Sequence, residues 1–76
     1  MSLLSAEIRK LRGLHSQEEF AKSVGVTRQI VASWESGSSL PSFRSARRLV
    51  EKGLDFDLVL GAHKARDDQR LAGVGR

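Results

Sequence analysis

The sequence predicts an all-α protein, a compact bundle of about five short helices. Three observations predict it. Apolar residues recur every three or four positions, the spacing of one helix face. Hydroxyl or acidic residues precede these stretches and glycines follow them, as helix caps do. No stretch alternates apolar and polar residues over the length a half-buried strand needs.

The first helix is expected from Ser5 to about Arg12, with Leu4, Ile8 and Leu11 at i, i+4 and i+7. "GLHS" interrupts it. Ser16 followed by Glu19 is a capping-box pair, the hydroxyl accepting from an orphan backbone N–H while the carboxylate reaches back. A second helix then runs from Gln17 to about Val24, with Phe20, Ala21 and Val24 inward. Gly25 stands where a helix end wants a left-handed residue, and Val26 can plug the turn. Thr27 is the expected N-cap of a third helix, Arg28 to about Glu35. "SGSSLPS" is the clearest loop, with Gly37 ending the third helix and Pro41 preventing its continuation. Ser42 can cap a fourth helix carrying Phe43, Ala46, Leu49 and Val50 at helical spacing, and Gly53 closes it. Asp55 can cap a fifth, with Phe56, Val59 and Leu60 as its apolar face. After Gly61 the periodicity weakens, and "HKARDDQRLAGVGR" reads as either a helical extension or a disordered tail.

Seventy-six residues suffice for one small domain with a modest core. The absence of cysteine excludes disulfides and thiolate metal sites. No segment approaches the ~18 consecutive apolar residues of a membrane span, and the N-terminus lacks a signal peptide's order of basic then apolar residues. A soluble, cytoplasmic protein is therefore expected. Thirteen Lys and Arg against nine Asp and Glu give a net charge of +4 and a pI near 10.4, a balance suited to a polyanionic partner.

Where those charges fall points to the partner. At about 100° per residue from Arg28, Ile30, Trp34 and Val31 fall near 200°, 240° and 300°. Arg28, Ala32, Ser36, Gln29 and Ser33 occupy the opposite arc, with Glu35 at its edge. An inert exposed face would more often carry Glu and Lys, which favour helix. Arginine can fork onto guanine O6 and N7, glutamine onto adenine N6 and N7, and a small alanine permits close approach and contact with a thymine methyl. The two long side chains also lie in the helix's first turn, the end that meets base edges.

The stretch "SQEEFAKSVGVTRQIVASWESG" resembles the helix-turn-helix of the lambdoid phage repressor and Cro family, also called the XRE type. Gln17, Ala21, Gly25, Val26, Ile30 and Trp34-Glu35 before Gly37 carry the likeness. "LPSFRSARRLVEKGLDFDLVL" resembles the family's last two helices, so the likeness covers about residues 5 to 61. It implies a lambda repressor-like DNA-binding domain over 1–61, with the helix-turn-helix at about 17–36. Residues 62–76 are left as a charged extension, either flexible or in contact with a second copy or partner. It further implies base-reading by Thr27, Arg28, Gln29 and Ser33, with Ala32 lining the same face, and phosphate contact by Gln17 and Arg44. In the family a basic residue of the first helix pairs with the acid at Glu35. The first connection is shorter here than is usual, which leaves Arg9, Lys10 and Arg12 as alternatives.

Other residues have plainer readings. Arg47, Arg48 and Lys52 read as a solvated face that adds to the attractive field. Trp34 reads as core, since it shares a face with Ile30. His15 and His63 lack ligand-spaced partners, and adjacent Asp67 and Asp68 lack a rigid second shell. No nucleophile–base pair is present. No catalytic residue, metal or cofactor is expected. The resemblance implies sequence-specific binding of a palindromic double-stranded DNA operator by a homodimer, as a bacterial or phage transcriptional regulator, expected to be a repressor. Phe56, Leu58 and Val59 are candidates for its interface. The alternative is an antitoxin-type or other interaction module that uses the fold to bind a partner protein.

Overall fold

Short capping signals set the boundaries of five helices: α1 (Leu3–Arg12), α2 (Gln17–Val24), α3 (Arg28–Ser36), α4 (Phe43–Glu51) and α5 (Phe56–Val74). The computed structural model describes the backbone of residues 3–74 and the side chains of residues 3–66, and among the described residues there is no strand. The capping box at α2 is complete: Glu19 N–H donates to Ser16 Oγ at 3.0 Å and Ser16 N–H to Glu19 Oε1 at 2.9 Å. Thr27 Oγ1 accepts from Ile30 N–H at 3.3 Å, and Ser42 Oγ from Ser45 N–H at 3.3 Å. The Asp55 carboxylate accepts from Asp57 N–H at 3.0 Å, which orders the start of α5.

Gly25 and Gly37 end α2 and α3 in the left-handed region, at φ +74° and +83°. A side chain at either would force Cβ toward the carbonyl, so glycine is the residue that turns the chain here without strain. The turn between α2 and α3 is short, and Val26 is half-buried against the core.

Ile8, Val24, Val31, Ala46, Leu49 and Val59 are almost wholly buried and draw on all five helices. Leu4, Phe20, Ala21, Trp34 and Leu54 complete the cluster. Ala21 is small enough to let α2 cross α3 closely. Ser5, itself buried, donates through Oγ to Trp34 O at 2.7 Å and ties α1 to the end of α3.

Three apolar expectations need correction. Ile30 is 40% exposed rather than packed on the core. The buried residues of α3 are Val31, Trp34 and Glu35, a stripe centred closer to Glu35 than hydropathy alone indicates. An ion pair draws the acid inward and rolls Ile30 to the rim. On α4 and α5, Phe43, Val50, Phe56 and Leu60 are exposed, and only Ala46, Leu49 and Val59 of the expected faces are buried. Val59 is core and therefore unavailable to any partner. Beyond Gly61 the helix continues to Val74, with Ala62 packed against the core. The His63 ring stacks on Phe43 at 5.4 Å, and its Nε2 lies 2.7 Å from Pro41 O.

Candidate nucleic-acid interface

The first turn of α3 projects Arg28 and Gln29 into solvent. Neither makes a hydrogen bond or ion pair among the described residues, so their donors and acceptors are uncommitted. Thr27, also exposed, spends one hydroxyl lone pair on the helix cap. Ala32, half-buried, lies one turn further along the same flank. Ser33 is more engaged: its Oγ donates to Ile30 O at 2.6 Å and is bonded to Ser39 Oγ, which joins α3 to the loop before α4. The residues singled out as readers thus share one flank, but Ser33 also holds the loop.

Beneath the opposite flank lies a charged cluster. Glu35 is 3% exposed. Arg12 donates to it twice, Nε to Oε2 at 2.7 Å and Nη2 to Oε1 at 3.0 Å. Arg9 stands 3.6 Å away, and Lys10 pairs with Glu7 instead. Arg12 is the partner because the short connection folds back onto it: Arg12 Nη1 donates to His15 O at 3.0 Å. Burial alone would raise the Glu35 carboxyl. The hydrogen bonds from Arg12 and Gln17 and the nearby guanidinium charges outweigh it and hold the group below the usual carboxylate range. The Arg12 guanidinium is raised in turn, chiefly by its hydrogen bond to Glu35.

Gln17 touches the same cluster. Its Nε2 reaches Glu35 Oε1 at 3.4 Å, so its amide donor leans inward. A phosphate at the start of α2 would meet the helix's free backbone N–H groups and would compete for that amide. Glu19, beside them, is held below its ordinary range by hydrogen bonds from the Ser16 backbone and hydroxyl. Arg44, on the first turn of α4, is exposed and free of ion pairs among the described residues.

Sequence reasoning missed the role of Arg48. Its Nη1 donates to Val24 O at 3.1 Å and so caps the last turn of α2 at the bend before α3. The contact joins residues of separate helices, and helical periodicity within α4 carries no signal for it. Among the described residues no group of His, Asp or Glu is arranged to hold a metal. The side chains of Asp67 and Asp68 lie outside the described residues.

Two short helices at a glycine turn, the second with one buried and one free polar flank, define the helix-turn-helix class of DNA-binding proteins. The family model described as Helix-turn-helix matches residues 6–52, most of the chain. This chain belongs to that helix-turn-helix family, the XRE type to which the lambda repressor-like and Cro-like regulators belong. The match ends within the turn after α4 and leaves α5 outside it. No curated protein and no solved structure matches the chain. Among the described residues no helix is long and apolar enough to cross a membrane.

Proposed function

We propose that this protein is a sequence-specific transcriptional regulator, a repressor, that binds double-stranded DNA as a homodimer. In this reading α3 lies in the major groove, with Arg28 and Gln29 on base edges and Thr27, Ala32 and Ser33 lining the contact. Gln17 and Arg44 hold the backbone and fix the register. One observation carries the reading: Arg28 and Gln29 are free and solvent-facing on the first turn of a helix whose other side is anchored by Val31, Trp34 and Glu35.

The reading includes pairing of two copies. One module of this size gives limited affinity, and two linked by two-fold symmetry read half-sites about 34 Å apart. The exposed residues Phe56 and Leu60 of α5 give such a pair an apolar contact outside the reading flank.

Selection of duplexes from a random pool at two salt concentrations tests it. A palindromic consensus whose half-sites are one helical turn apart is the expected outcome. Recovery of no preferred sequence would leave the base-reading assignment without support.

A further inference from the structure

Along α4, Arg44, Arg47 and Arg48 fall at i, i+3 and i+4 and line a single cleft of about 340 Å³ with Glu51. We propose that this cleft is a phosphate-binding site, with Arg47 and Arg48 as ligands additional to Arg44. The ligand class is a phosphate oxygen, from the backbone of bound DNA or from a free phosphate-bearing molecule. The first source rests on the DNA-binding reading above.

Charge is the first argument. Among the described residues none of these three guanidiniums lies within 4.0 Å of a carboxylate, although Glu51 borders the same cleft. The arginines of α1 behave differently: Arg9 and Arg12 both converge on Glu35. Three guanidiniums against one carboxylate leave the cleft net positive, and an anion among them offsets their mutual repulsion.

Preorganisation is the second argument. Arg48 is anchored by its bond to Val24 O, and its guanidinium lies so close over Gly25 that a Cβ there would stand 1.8 Å from Nη1. One of its five donors is thus committed, and the planar fork is fixed with other donors free. Guanidinium forks match phosphate oxygens in pairs.

Position is the third argument. Val24 and Gly25 form the bend that leads into α3, so Arg48, one wall of the cleft, is fixed to the segment that precedes the reading helix. A DNA strand alongside that helix would bring a phosphate to the same end of the molecule.

The test uses the full chain and Arg47→Ala, an exposed position whose loss leaves the Arg48 anchor in place. Binding to a mixed-sequence duplex is measured across a salt series, with Lys64→Ala as a control that removes an exposed cation outside the cleft. The expected result is a log–log salt slope shallower by about 0.9 for Arg47→Ala. Lys64→Ala should keep the parental slope, and Arg47→Lys should restore it because charge sets counterion release. In parallel, the arginine side-chain N–H signals are followed by NMR during titration with inorganic phosphate. Saturable shifts at Arg47 and Arg48 in the parental chain, with the Arg48 shift lost in Arg47→Ala and no change in salt slope, would assign the cleft to a free phosphate-bearing ligand. An unchanged slope together with no saturable shifts overturns the site. If the parental chain bound no duplex at all, the DNA reading would fail and the phosphate titration alone would decide the cleft.

Discussion

Arg28 and Glu35 stand near opposite ends of α3 and face opposite surroundings. Arg28 has no partner among the described residues, so its replacement should leave the fold intact. Arg28→Ala is expected to cost about 1–3 kcal/mol of operator binding and to relax preference at one base pair, measured against single-base operator variants. Unchanged affinity and preference would move the reading face elsewhere. Glu35 is the converse case, an acid taken out of water and held ionised by Arg12. Its folded-state pKa lies below its unfolded value, so the stabilisation is present above the ordinary glutamate pKa of about 4.3. It is lost as pH falls through the lowered value. Thermal melts between neutral and acid pH should show that loss. Glu35→Gln should flatten that part of the profile and lower neutral-pH stability by up to about 3 kcal/mol, because Arg12 is left without its counter-charge. Hydropathy places Glu35 at an edge and Ile30 inside; the structure reverses them, because pairing energy is invisible to a pattern that scores each residue alone.

Element boundaries were more legible than burial. The Ser16–Glu19 pair, Thr27, Ser42, Gly25 and Gly37 each act through their own backbone, so a local sequence carries the whole signal. The two helix-ending glycines give a graded prediction. A Cβ at Gly37 meets nothing closer than Ser5 Oγ at 3.7 Å, so Gly37→Ala should cost only the left-handed strain, about 1–2 kcal/mol. Gly25→Ala carries the same strain and also displaces Arg48 from Val24 O, which adds about 1 kcal/mol. Denaturant unfolding of both variants, repeated on an Arg48→Ala background, should show the difference between them vanish, each then costing the strain alone. The length of α5 was not legible. Past Gly61 the residues carry no apolar period, and a polar helix gives the same sequence signal as a polar coil.

For the whole molecule, the core is one cluster fed by every helix, and α4 and α5 leave Phe43, Val50, Phe56 and Leu60 outside it. Leu60 is 43% exposed, so Leu60→Lys should change stability by no more than about 0.5 kcal/mol. If this surface joins two copies, the same change should weaken self-association about tenfold, roughly 1.4 kcal/mol, in sedimentation equilibrium. An unaltered association constant would place the two-fold contact elsewhere. One long-range connection bears on the shape of the binding surface. The imidazole of His63 is wedged behind the segment that delivers Arg44, stacked on Phe43 and bonded at Pro41 O. What reads as a mere appendage is thus a rear bolt on the loop that precedes α4. Clipping the chain at Gly61 should loosen the 38–42 segment, seen as faster amide exchange there, and, if Arg44 holds a phosphate as proposed, weaken duplex binding as well.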